Sequence, residues 1–197
     1  MRQEVMDALA SWYPKYLAPG RVVVELGSRA VYGGIPRTVF TGDHKYTGID
    51  MMAGAEVDLV LNFHELHSAF DRCSVDTVLC LETLEHDDRF WLTLEEVARV
   101  LKPGGHFVLS VPTLGYPTYH PYPQDYWRFT EDSFREVLLE PKWYDLLDVK
   151  LASTAGHVDG IAGIARRKEA SRGTEKEAAA RQAKGEGKGA EARPSGW

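Results

Sequence analysis

Residues 75–112, VDTVLCLETLEHDDRFWLTLEEVARVLKPGGHFVLSVP, decide the fold. Val75–Leu81 is a β-branched apolar run of strand length, the profile of a strand buried on both faces. Asp88–Leu101 carries Trp91, Leu94, Val97, Ala98 and Leu101 at helical spacing, an amphipathic helix closed by Lys102-Pro103-Gly104-Gly105. Gly105–Val111 then reads as strand again. Strand, helix, strand at this spacing is a right-handed crossover between parallel strands.

The same alternation extends outward. Val5, Leu9, Trp12, Tyr13 and Tyr16 make Gln3–Leu17 an opening helix, stopped by Pro19-Gly20. Arg21–Leu26, Lys45–Asp50 and Val57–Leu61 read as three further strands. Downstream, Thr130–Leu139 is a helix with Thr130 as N-cap, and Tyr144–Leu151 and Val158–Arg166 pair as closing strands. The alternation predicts a mostly parallel α/β sheet with helices on both faces, whose ligands bind beyond the carboxyl ends of the strands.

The 197 residues suit one domain, expected over 1–166. The remainder, 167–197, has no Val, Ile, Leu or Phe and reads as a disordered charged tail. Charge is uneven: residues 166–197 hold nine basic and five acidic groups, whereas 1–165 hold 14 basic and 24 acidic. An acidic body repels polyphosphate, so nucleic-acid partners are disfavoured. Cys73 and Cys80 are the only thiols, too few for a disulfide scaffold or an all-cysteine zinc site; no metal is expected. No apolar run approaches the roughly 18–20 residues of a membrane span, and no leader opens the chain. A cytoplasmic protein with no membrane partner is the expectation.

Chemistry belongs just after each strand. Gly27, in Glu25-Leu26-Gly27-Ser28-Arg29, permits close backbone approach to a ligand, or makes a plain turn. Asp50, about 20 residues on, can accept hydrogen bonds from the ribose hydroxyls of an adenosine-type cofactor, or cap a turn. Met51 can pack an adenine face or fill the core. Asn62 can meet an adenine edge or close an Asx-turn. In Leu81-Glu82-Thr83-Leu84-Glu85-His86, Glu82 can accept from a cofactor ammonium, and His86 can serve as general base or cap a turn. Neither GxGxxG nor GxxxxGK[ST] occurs, which argues against nicotinamide-dependent redox chemistry and triphosphate hydrolysis.

ELGSR, YTGID, VDLVLNFHEL, SVDTVLCLETLEH and EEVARVLKPGGHFVLSVP, in this order, resemble the successive motifs of class I S-adenosylmethionine-dependent methyltransferases, closest to the type 11 group. The resemblance implies a Rossmann-like, seven-stranded, mostly parallel sheet in the order 3-2-1-4-5-7-6. It implies S-adenosyl-L-methionine as cofactor, with Glu25, Gly27 and Ser28 on the methionine side and Asp50 on the ribose. Met51, Asn62 and Phe63 would lie at the adenine and Glu82 at the methionyl end, with His86 near the methyl group. One departure stands out: Arg29 occupies the place of the family's usual second glycine, with Gly33-Gly34 following.

Thr113–Phe129, TLGYPTYHPYPQDYWRF, is long, stiffened by prolines and rich in aromatics, the composition of a lid. Trp127 and Phe129 are expected to seal the sheet edge. His120, Tyr122, Asp125 and Arg128 are expected to face the cleft, His120 as a second candidate base; an Asp125–Arg128 ion pair that only fixes the loop is the alternative. The expected reaction is methyl transfer to an oxygen or nitrogen of a small molecule or saccharide. The rival readings are an RNA or protein acceptor, or a non-catalytic cofactor-fold module.

Overall fold

The computed structural model describes residues 1–17, 21–31, 33–116, 118–154 and 156–169. Pro19-Gly20, the expected stop of the first helix, and residues 170–197 of the expected tail lie outside the described residues. In chain order the elements are α1 (Gln3–Tyr16), β1 (Val22–Leu26), β2 (Lys45–Asp50), β3 (Leu59–Val60), β4 (Val75–Leu81), α2 (Phe90–Val100), β5 (Leu101–Pro112), α3 (Glu131–Ser133), β6 (Tyr144–Thr154) and β7 (His157–Arg167). Short 3₁₀ turns cover Pro36–Val39, Phe63–Ser68 and Leu84–His86. A π-helical turn, Phe134–Leu138, continues α3.

The strands form one seven-stranded sheet in the order β3-β2-β1-β4-β5-β7-β6, as expected. β3, β2, β1, β4 and β5 run parallel, and β7 lies antiparallel between β5 and β6. Parallel strands need crossovers, and the crossovers carry the elements that cover each face. One face packs on α1 through Leu9, Trp12, Val23, Leu79, Val108 and Ile164. The other packs on α2, the Phe63–Ser68 turn and the α3 region through Val78, Leu66, Val97, Phe107 and Phe134. Trp12 is fully enclosed and also spends its one donor, Nε1–H reaching Asp148 Oδ2 on β6 at 2.8 Å. Cys73 and Cys80 are both free, the latter buried in β4.

Three of the differences from the sequence reading have a local cause. β3 spans only Leu59–Val60, not Val57–Leu61. Asp58 explains the shortening, because its Oδ2 takes the Gly48 N–H at 2.7 Å and pairs with Arg37. A side chain thus replaces a ladder bond at the sheet edge. β5 begins at Leu101, four residues early. Its register to β4 passes directly from Val75↔Leu101 to Thr77↔His106, so Lys102-Pro103-Gly104 bulge out rather than merely end a helix. Gly104, at φ +76°, makes that bulge possible. The helix expected over Thr130–Leu139 is α-helical only in its first turn, where Thr130 accepts from Ser133 N as predicted, and is π-helical beyond. No helix among the described residues is long and apolar enough to cross a membrane.

Candidate active site

The carboxyl ends of β1, β2 and β4 lie side by side, and a cleft of about 200 Å³ opens there; a second hollow beside α1 and β6 offers about 10 Å³. At the tip of β1, Gly27 has φ +76°, and a Cβ on it would collide with the Thr83 hydroxyl. The glycine is therefore needed for contact between two strand tips, not only for approach to a ligand. Its N–H and that of Ser28 both bond Ile49 O, at 2.9 and 3.0 Å, which locks the tips of β1 and β2 together. Ser28 lines the cleft, with its Oγ buried beside Gly48 and without a protein hydrogen-bond partner. Glu25, immediately behind, accepts from Tyr46 O–H at 2.7 Å, and burial pushes its carboxyl up to about 7.

Asp50 at the tip of β2 also lines the cleft. Its Oδ1 accepts from Met52 N at 2.9 Å and its Oδ2 from Arg29 N at 3.4 Å. A carboxylate has about four lone-pair sites, so Asp50 retains capacity for a diol. Arg29 lines this end too. Its stem lies along Gly54, its Nε stands 3.8 Å from Asp50 Oδ1, and its guanidinium lies 5.2 Å from the Tyr122 ring. Met51, 60% exposed, and Phe63 flank the same end. Asn62 does not line the cleft: its Oδ1 accepts from His64 N at 3.0 Å and caps the Phe63–Ser68 turn.

The tip of β4 carries the densest charge. Glu82 has φ +53° and is gripped bidentately by Arg2, with Nε–H to Oε2 at 2.9 Å and Nη2–H to Oε1 at 2.8 Å. Arg2 also reaches Asp159 Oδ1 at 3.1 Å. The carboxylate expected to meet a cofactor ammonium is thus already neutralised from within the chain. Next along, Glu85 is fully buried, and neither of its carboxylate oxygens has a hydrogen-bond partner. His86 Nε2 stands 3.9 Å and His120 Nε2 3.8 Å from Glu85 Oε1, and the two imidazole rings are 5.1 Å apart. Burial raises the Glu85 carboxyl above its ordinary range, and the facing Glu85 raises His120.

The segment 113–129 covers this end. Tyr126 N–H bonds Glu85 O at 2.7 Å, and Trp127 Nε1–H bonds Asp87 O at 2.8 Å. Phe90 makes edge contacts with Trp127 and Phe129, both at 5.5 Å, so these two aromatics do seal the sheet edge. His120 and Tyr122 line the cleft. Asp125 and Arg128 instead close on each other, with Arg128 Nη2–H to Asp125 Oδ2 at 2.7 Å. Arg128 thereby holds the Asp125 carboxyl well below the usual carboxylate range. Arg2 and Glu85 are among the cleft residues that sequence reading missed. Glu85 had a usable signal, an acid beside His86 at a strand tip; Arg2 had none.

The cleft fits an adenosyl sulfonium at its sugar end, through Asp50 and its spare lone pairs. At the amino-acid end Ser28 keeps an orphaned hydroxyl, and Glu82 is engaged by Arg2. Residues 34–109 match a family model described as a methyltransferase domain. The 1,6-didemethyltoxoflavin-N1-methyltransferase of Burkholderia thailandensis, solved with 1,6-didemethyltoxoflavin and S-adenosylhomocysteine, is similar in structure: TM-score 0.66 at 19% identity, over 84% of this chain and 79% of that one. The [4+2]-cyclase SpnF gives 0.64 at 15% identity, over 84% and 81%. A SAM-dependent methyltransferase from Methanosarcina mazei gives 0.60 at 16% identity, over 80% and 97%. No curated protein matches the chain. Family model, sheet order and strand-tip cleft agree on a methyltransferase domain in a Rossmann-like sheet of the class I type, whose methyl donor is S-adenosylmethionine.

Proposed function

We propose that the protein methylates an oxygen or nitrogen of a small molecule or saccharide, with Asp50 at the donor's ribose and the His86–His120 pair at the acceptor. The observation that carries this reading is the meeting of those two imidazoles over Glu85 in the same cleft as Asp50. The donor supplies an already electrophilic methyl group. The chain must align the acceptor with it and take up a proton when the acceptor is weak. Asp50 and Ser28 orient the donor, Met51 and Phe63 flank its adenine, and the Glu85–His86–His120 cluster is the proton-handling machinery.

A covered cleft favours a small acceptor over a polymer. Tyr122, against Arg29, roofs the donor end, and the loop is pinned to Glu85 and Asp87 at the acceptor end. The acidic body also disfavours polyphosphate. The enzyme from Burkholderia thailandensis, by its name, methylates a nitrogen of a small heterocycle, which supports the same class. SpnF shows that the fold alone does not fix the reaction.

The test is calorimetry with S-adenosylhomocysteine, followed by a labelled-donor screen of saccharides, small heterocycles, RNA and protein. Binding of the product with methylation of a small acceptor, lost in His86→Ala or His120→Ala, supports the reading. No binding refutes methyl transfer altogether, and transfer only to RNA or protein refutes the acceptor class.

A further inference from the structure

Glu85, His86 and His120 form an arrangement that proton handling by imidazole alone does not explain. Glu85 is a carboxylate sealed from water, with both oxygens unbonded. An uncompensated carboxylate in such a place is strongly unfavourable. The two imidazoles that face it stand too far off to compensate it by hydrogen bonding: 3.8 and 3.9 Å against about 3.2 Å at most.

The other ring nitrogens show why. His86 Nδ1 lies 2.5 Å from Gln124 O, an acceptor, so Nδ1 carries the proton and Nε2 presents a lone pair. His120 Nδ1 has two acceptors at 3.3 Å, Thr118 O and Asp125 Oδ2. Arg128 Nη2 also stands 3.3 Å from it, but that guanidinium is already engaged by Asp125 and Thr118 O. Two nitrogen lone pairs and a carboxylate oxygen therefore converge, and the three ligating atoms all lie within 4.8 Å of one another. A bound cation relieves such a convergence of lone pairs. The N···O separations exceed by roughly half an ångström the ~3.4 Å edge of a tetrahedral sphere with ~2.1 Å bonds. Both histidines are braced through the nitrogen that would not ligate, the second-shell pattern of metal-binding imidazoles.

We propose that Glu85, His86 and His120 bind a divalent transition-metal ion on the acceptor side of the cleft, leaving open positions for the acceptor's oxygen. This departs from the expectation of no metal in the sequence reading, and it rests on the methyl-transfer reading only for the ion's role. Two imidazoles and one carboxylate suit a borderline ion such as Zn²⁺, Fe²⁺, Mn²⁺ or Co²⁺. An acceptor hydroxyl bound to the ion loses its proton to water at neutral pH, because the cation stabilises the alkoxide. The alkoxide lone pair then forms the O–C bond as the sulfonium S–C bond breaks. The bonding pair stays on sulfur, giving a neutral thioether and the methyl ether.

The test uses the full chain and Co²⁺ alone, followed by its visible absorption and by calorimetry, in a His67→Ala background that removes the surface His67–Glu96 pair. One equivalent is expected to bind. Glu85→Gln, which preserves size, and His120→Ala, which lies on the loop, are each expected to weaken binding at least tenfold with unchanged circular dichroism. No binding, or equal binding by both variants, overturns the site. S-adenosylhomocysteine is titrated into the same preparation. Cofactor binding without metal binding sinks the metal site alone, and metal binding without cofactor binding sinks the methyl-transfer reading alone.

Discussion

Replacing Glu25 by Gln should change how stability depends on pH, by an amount the structure sets. Glu25 is buried behind the tip of β1 and its carboxyl is pushed from 4.5 up to about 7 by desolvation, against the opposing hydrogen bond from Tyr46 and the charge of Arg37; Glu56 and Asp58 push with the desolvation. At about 1.4 kcal/mol per pKa unit, that displacement amounts to about 3 kcal/mol. Because the folded value is raised, the stability from this group is whole below 4.5 and gone above about 7. The glutamine amide keeps an acceptor for the Tyr46 hydroxyl but does not titrate. Its buried NH₂ adds an offset that is the same at every pH and cancels in the comparison. The difference in unfolding free energy between variant and wild type should therefore shift by about 3 kcal/mol in favour of the variant between pH 4 and pH 8. In melting temperature this is about 9 °C for a domain of this size. Urea unfolding of both proteins at the two pH values measures it. Parallel stability curves would refute the buried, proton-holding Glu25.

Asp50→Ala should weaken S-adenosylhomocysteine binding by about tenfold to a hundredfold through loss of charge-assisted hydrogen bonds, read by calorimetry; an unchanged affinity would remove Asp50 from the donor site. Gly27→Ala combines a left-handed backbone with a collision at Thr83 and should destabilise by about 3 kcal/mol or more in denaturant titration. Trp12→Ala leaves a large void between α1 and the sheet and should cost about 4 kcal/mol, with Asp148 losing its donor.

The central strands were legible because β1 and β4 are buried on both faces, which demands near-continuous apolar runs such as VVVEL and VDTVLCL. α2 was legible for the opposite reason: it has one buried face and shows it at 3.6-residue spacing. The ends were harder to read, because a single side chain can substitute for backbone there. Asp58 shortened β3 in this way, and Asn62 spent on a turn the oxygen that adenine would have used. The bulge after Leu101 was hidden because Pro and Gly punctuate a helix end and a bulge alike. In the cleft, residues that follow a strand tip, such as Asp50 and Glu82, were found by position. Arg2 reaches the cleft from 80 residues away, and no local pattern reports such a contact. Asp125 and Arg128 were recognised as a pair with two readings, and only the geometry shows that they bond each other.

The two hydrogen bonds from the backbone N–H groups of Tyr126 and Trp127 to the carbonyl of Glu85 carry a consequence for traffic. The covering loop is riveted at that end, so it swings, if at all, from its other flank, where Tyr119 and Tyr122 stand exposed. Any such swing levers on the residue that bears the orphaned carboxylate. If the acceptor binds as proposed, a graft that exchanged this loop for another should change selectivity and turnover together.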